Sequence, residues 1–292
     1  MNPSMTGDAI LLEGVTKHYK DFSLKDVSLA LPRGAVLGLI GENGAGKTTL
    51  LKSMLGLVHM DGGRALLLGE EVSARDRDAK ERIGVVFEES RFPDNLTTKQ
   101  IAKIMACICR SWSNETFWSL VRRFDLPDKK PVKEYSRGMR AKLMIASALA
   151  HHPQLLILDE ATSGLDPVVR EEILDLFLEF IQDEDRSILL SSHITSDLDK
   201  IADYIAYLHK GELMLCRPRD ELMDTLGILR CGKEDLARVD AGHILRLREN
   251  RFGVEVLVQD REQLRRHHPE LVVDNSNIEE MMLFYARGEE RA

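Results

Sequence analysis

Residues 41–49 read GENGAGKTT, between the apolar run AVLGLI (35–40) and an amphipathic segment that runs from Lys47 to Leu57. A glycine, a four-residue gap, then glycine, lysine and threonine between a strand and a helix is the pattern of a phosphate cradle. Gly41, Gly44 and Gly46 let backbone N–H groups turn inward around phosphate oxygens, and the positive end of the following helix adds a favourable field. Asn43 and Ala45 complete the nucleotide-contacting loop. Lys47 is expected to bridge the β- and γ-phosphates, Thr48 to coordinate Mg²⁺ through its hydroxyl, and Thr49 to close the loop on the α-phosphate side.

A second group of reactive residues stands at LLILDE (155–160), where four apolar residues end in Asp159 and Glu160. Two carboxylates at the end of a buried strand are costly unless they are used or solvated. Asp159 suits a magnesium site. Glu160, one residue farther out, is suited to orient or deprotonate an attacking water. ATP and Mg²⁺ are therefore the expected cofactors.

The elements that must hold these residues are also readable. Residues 9–31 alternate short apolar runs with polar turns, a pattern of antiparallel strands. AVLGLI, LLILD and SILLSS (187–192) read as buried strands, and a helix starts at Pro167 with Val169, Ile173, Leu174, Phe177 and Ile181 on one face. Strands that alternate with helices imply a parallel sheet covered on both sides. From about Arg91 to His152 the pattern is helical, punctuated by Pro93 and Pro127 and stopped by Pro153. The expectation is an α/β protein: a P-loop NTPase core with a parallel sheet, an antiparallel β subdomain and a helical insert at about 91–152, all within residues 1–218. Residues 219–292 are expected to form a small α+β module that ends in a helix from Ile278 to Ala286, with Ser276 and Glu279 as its capping box.

Composition narrows the function classes. With 43% hydrophobic and 30% charged residues the chain is an ordinary globular protein. A net charge of -8 offers no counter-charge to a phosphate backbone, so no nucleic-acid partner is expected. Cys107, Cys109, Cys216 and Cys231 fit neither a disulfide scaffold nor a zinc site, and Cys107 and Cys109 read as buried free thiols. No apolar run approaches the about 20 residues of a membrane-spanning helix, and MNPSMTGDAI lacks the order of a secretion signal. A cytoplasmic protein is expected, held at any membrane by a partner.

YSRGM (135–139), lying before LLILDE, resembles the signature motif of ABC transporter ATPases. By that resemblance Ser136 and Gly138 act on the γ-phosphate held by the P-loop of a second subunit, and Ser136 can also cap the helix that follows. The resemblance further implies Tyr19 as the adenine platform, SGLD (163–166) with Asp166 as the D-loop, and His193 in SSH as the switch histidine. It covers roughly residues 8–218. Two positions depart from the common pattern. Glu88, beside Glu89 in IGVVFEES, stands where the family has its Q-loop glutamine; its oxygens can bind Mg²⁺, but it cannot donate an amide hydrogen bond. Arg137 and Met139 make the signature SRGM where the common form is SGGQ.

The family implies catalytic roles for Lys47, Glu160 and His193, ATP contacts by the P-loop, Tyr19, Ser136, Gly138 and Asp166, and Mg²⁺ ligation by Thr48, Glu88 and Asp159. It implies an ATP-hydrolysing transporter subunit that pairs with a second copy and drives a separate membrane permease, contacted near residues 88–125 at the inner face of the membrane. The text from Tyr19 to Gly69 resembles exporter-type subunits for antimicrobial or modulin-like peptides, which implies export of a peptide or drug-like substrate. The alternatives are a soluble ABC-type ATPase and an ATP clamp with little turnover. REQLRRHH (261–268) reads as one solvated helix face, with His267 and His268 exposed.

Overall fold

The computed structural model describes residues 7–71, 77–88, 92–250 and 253–288. MNPSMT, Glu89, Ser90 and Arg91, each part of an expectation above, lie outside them. The chain divides into two compact units, residues 1–213 and 214–292.

The first unit opens with strands β1 (Asp8–His18) and β2 (Ser23–Pro32), then β3 (Val36–Ile40) and helix α1 (Lys47–Met54). Strands β4 (Gly62–Leu67) and β5 (Glu70–Glu71), the short helix α2 (Arg77–Glu81) and β6 (Ile83–Val86) follow. Helices α3 (Thr98–Ile108), α4 (Asn114–Arg123) and α5 (Arg137–Leu149) come next. The unit closes with β7 (Leu155–Asp159), α6 (Pro167–Phe180), β8 (Ser187–Ser191), α7 (Thr195–Ile201) and β9 (Tyr204–His209), and β10 (Glu212–Pro218) leads out of it.

Two sheets result. β2, β1, β4 and β5 lie side by side in an antiparallel sheet. The larger sheet has the order β10-β9-β3-β8-β7-β6, with β9, β3, β8, β7 and β6 parallel. Every residue of β3, β7 and β8 is buried, which is why these strands are unbroken apolar runs rather than alternating ones. Their carboxyl ends lie along one edge, where the loops that carry Gly41, Glu160 and Ser192 leave the sheet. Such an edge is where open α/β sheets bind their ligands.

The insert is helical, as its sequence predicts, and its helices are individually capped. Thr97 and Gln100 form a capping box on α3, Ser113 caps α4 and Ser136 caps α5. Asp166 caps α6, with Pro167 in its first turn. The first helix is shorter than its amphipathic pattern suggests. It ends at Met54 because Gly56 takes a left-handed conformation (φ 66°), which leaves Leu57 on the surface. Strand β6 is not separable by pattern from the segment after it, and the structure adds it to the sheet beside β7. The thiol expectation is corrected: Cys107 is exposed and Cys109 half-buried, because both lie at the end of α3, beyond its buried Ile101 and Ala102.

The second unit contains α8 (Arg219–Thr225), β11 (Gly227–Cys231), α9 (Lys233–Leu236), β12 (Ile244–Asn250), β13 (Gly253–Val258), α10 (Arg261–His267), β14 (Val273–Asn275) and α11 (Ile278–Arg287). Its strands form one antiparallel sheet, β12-β13-β11-β14, with Leu229, Val254, Val256, Val258 and Leu264 in its core. Two sequence readings are corrected here. Asn277, not Ser276, caps the last helix: its side-chain oxygen accepts from the Glu280 N–H at 2.8 Å, whereas Ser276, one residue too early, is buried. Nor is REQLRRHH wholly solvated. Arg261 is buried and donates to the carbonyls of Met223 (3.0 Å) and Leu226 (3.2 Å), because its position faces the core with Leu264, and His268 is half-buried beside Glu270.

Candidate nucleotide site

Glycine is required in the loop before α1. Gly44 and Gly46 have φ of 84° and 108°, and a Cβ on Gly46 would stand 2.5 Å from the Phe22 ring. A Cβ on Gly41 would collide with the Leu208 carbonyl. Gly46 is also the N-cap of α1 and supplies no side-chain acceptor, so the helix's first N–H groups face outward uncapped. Uncapped N–H groups at a positive helix end favour an anion. The loop is pinned from behind by Gly211 N–H donating to the Ala45 carbonyl (2.9 Å) and by Ala45 N–H donating to the Glu42 carbonyl (3.0 Å). Asn43 is exposed at its tip.

Of the side chains predicted for phosphate and metal, Lys47, Thr48 and Asp159 converge here, beside Glu160. Lys47 is buried and donates to the Gly41 carbonyl at 2.7 Å; its Nζ also lies 3.4 Å from Glu160 Oε1. The Thr48 hydroxyl donates to Asp159 Oδ2 at 2.6 Å, joining the start of α1 to the end of β7. Asp159 is 2% exposed, and its Oδ1 is a buried oxygen without a hydrogen-bond partner; the buried Glu160 Oε1 accepts no hydrogen bond either and faces only the Lys47 ammonium across the 3.4 Å ion pair. Buried carboxylate oxygens in this state are costly. They suit a hard cation, and Mg²⁺ is usually held by one or two carboxylates together with substrate phosphates. Among the described residues, no group of three or more His, Cys, Asp or Glu could hold a metal on protein ligands alone. The residues present fit Mg²⁺.

Glu160 occupies a conformation that non-glycine residues rarely adopt, φ 54°, fixed by its N–H donating to the Ser191 carbonyl at 2.9 Å. That turn aims its carboxylate at both Lys47 and His193, whose Nδ1 donates to Glu160 Oε2 at 2.6 Å. The strained turn leaves no mark in the sequence. A second pairing escapes the motif reading as well. The Thr162 hydroxyl donates to the buried Asp197 at 2.7 Å, and Arg170 approaches Asp197 at 4.0 Å. Burial raises the Asp197 pKa, the Thr162 hydrogen bond opposing it. Two polar residues flanking the β7 and β8 loops are the signal that could have found it.

The remaining candidates spread outward. Tyr19 is 47% exposed, its ring 5.5 Å from Lys17 Nζ, at a turn closed by Tyr19 N–H donating to the Phe22 carbonyl. Phe22 in turn abuts Gly46, so this turn flanks the loop. The Ser136 side chain accepts from Met139 N–H at 3.2 Å, and Gly138 lies behind it in α5. Asp166 acts as a helix cap, accepting from Val169 N–H at 3.0 Å. Glu88 and Arg137 border a cavity of about 420 Å³ that Glu160 also lines. Thr49 follows Thr48 in the first turn of α1. Within one chain, then, Lys47, Thr48, Asp159, Glu160 and His193 are brought together, while Ser136, Gly138 and Asp166 serve helix starts.

Comparison with known proteins gives this geometry its family. The ABC transporter family profile matches residues 24–163. The lantibiotic transport ATP-binding protein SrtF of Streptococcus pyogenes is 36% identical over 212 residues, which is 72% of this chain and 90% of that protein. The chain belongs to the ABC transporter ATP-binding proteins. This is a family of ATPases, and its members work with transmembrane permeases. An uncharacterized ABC transporter ATP-binding protein of Synechocystis is 35% identical over 76% of this chain, which spans 65% of that relative's length. The solved ATP-binding subunit of an ABC transporter superposes on 74% of this chain and 92% of its own with a TM-score of 0.67 at 26% identity. In this ABC protein no helix among the described residues is long and apolar enough to cross a membrane.

Proposed function

We propose that this chain binds MgATP on the loop 41–49 and hydrolyses it as the engine of a peptide exporter. The observation that carries this reading is the convergence of Lys47, Thr48, Asp159, Glu160 and His193 behind an uncapped helix start. Lys47 neutralises the phosphates and Tyr19 stacks on the adenine. Thr48, Asp159 and Glu88 hold Mg²⁺, which supplies charge neutralisation on the β- and γ-phosphate oxygens when bound. Glu160 accepts a proton from the attacking water while His193 holds its carboxylate in place. Two copies close around two nucleotides, each lending Ser136 and Gly138 to the other's γ-phosphate, with Asp166 at the seam. Such a pair needs a permease at the inner face of the membrane, met by residues 88–125. SrtF is a lantibiotic transport protein, and that likeness, with the exporter-like stretch from Tyr19 to Gly69, favours a peptide substrate and outward transport.

The test is ATP hydrolysis by the purified protein with Mg²⁺ as a function of protein concentration. A rate that rises faster than linearly, and is lost in Glu160→Gln, supports a shared-site dimer. Strictly linear activity would remove the dimer from the reading. An inactive protein that still binds ATP would favour the clamp, unless co-reconstituted permease restores turnover.

A further inference from the structure

The two residues that depart from the common family pattern meet. Arg137 Nη2 lies 3.9 Å from Glu88 Oε1, although 49 positions separate them. The Arg137 guanidinium also rests directly on Gly164, where a Cβ would collide with it; Gly164 has a φ of 64°. Arg137 thus lies against the SGLD turn at Gly164 with its Nη2 toward Glu88. Both side chains are more than half exposed, so the pair can open at little cost, since exposed ion pairs contribute about 0–1 kcal/mol. They border the same cavity as Glu160. In the nucleotide-site reading above the same carboxylate would also serve the nucleotide's divalent metal, so the guanidinium and the metal would have to share it.

We propose that Arg137 competes with the nucleotide's magnesium for Glu88, so that it sets the affinity for MgATP by holding that carboxylate against the SGLD turn. Arg137 is in this respect a positioning residue that acts through Glu88. The inference rests on the nucleotide-site reading above, from which it separates experimentally. It accounts for the joint appearance of a carboxylate at 88 and a cation at 137, each being the other's ion-pair partner. A glycine at 137 would leave Glu88 free, and a glutamine at 88 would give Arg137 no charge to hold.

The test is equilibrium binding of a non-hydrolysable ATP analogue to the full-length protein, with Mg²⁺ and with EDTA. Arg137→Ala should tighten binding about two- to fivefold in Mg²⁺, the scale of an exposed ion pair, and leave binding in EDTA unchanged. In a Glu88→Ala background the same substitution should have no effect. Arg137→Lys, which keeps charge but not the planar face, should fall between. Unchanged or weakened Mg²⁺ binding in Arg137→Ala, or tightening that persists without Glu88 or without Mg²⁺, overturns the competition. Lys47→Ala is the control: if it binds nucleotide like the unaltered protein, the nucleotide site itself is wrong and this inference falls with it.

Discussion

His193 Nδ1 donates to Glu160 Oε2 across 2.6 Å, joining the residue after β7 to the loop after β8. Glu160 is held at a left-handed φ, so its side chain is aimed by backbone strain and by this one hydrogen bond. On this arrangement His193 acts through Glu160. His193→Ala is expected to lower kcat by about 10²-fold or more while leaving the Kd for ATP nearly constant, the range of a mispositioned general base. Steady-state kinetics with equilibrium ATP binding checks it, and a variant that loses binding and turnover equally would show His193 to be a binding group instead.

Glu160→Gln keeps the shape at 160 and removes the base. It is expected to bind ATP, to hydrolyse at least about 10²-fold more slowly, and to elute at twice the monomer mass in ATP. Turnover at the rate of the unaltered protein would exclude Glu160 from the chemistry.

Thr48 donates to a carboxylate that has little else. With Thr48→Ala the buried Asp159 loses its hydrogen bond, and the unliganded protein should lose about 1–3 kcal/mol of stability. Thr48→Ser retains the hydroxyl and should recover most of it. Urea denaturation of the three proteins makes the comparison.

Gly46→Ala places a Cβ 2.5 Å from the Phe22 ring at a φ of 108°. The strain, on the order of 1–3 kcal/mol, falls on the turn that shapes the loop. Loss of measurable ATP binding in a protein that still unfolds cooperatively is the expected outcome.

His151 supplies a pH dependence. Burial depresses its pKa below the ordinary 6.5, against a hydrogen bond from Nε2 to the Ile83 carbonyl at 3.3 Å. The unfolded chain therefore takes up a proton before the folded one, so stability falls as pH drops below about 6.5. His151→Gln should reduce that acid sensitivity, read as a smaller drop in the urea midpoint between neutral and mildly acidic pH. An identical pH profile for both proteins would exclude His151 as the source.

The sequence by itself determined the chemistry at the loop and the strand beside it. GENGAGKTT needs glycine where φ is positive, and LLILD needs unbroken apolar residues because the parallel sheet is covered on both faces. Such local requirements leave their trace in the residues that meet them. The placement of Asn277 as a cap, the early end of α1 and the buried Arg261 were less legible, since each depends on which way a side chain faces once neighbouring elements are packed. Only the tertiary structure decided that Thr48 meets Asp159, that His193 meets Glu160, and that Glu88 and Arg137 face each other. These are contacts between residues far apart in the chain. Their geometry is set by strand order and loop strain, which no local pattern of residues encodes.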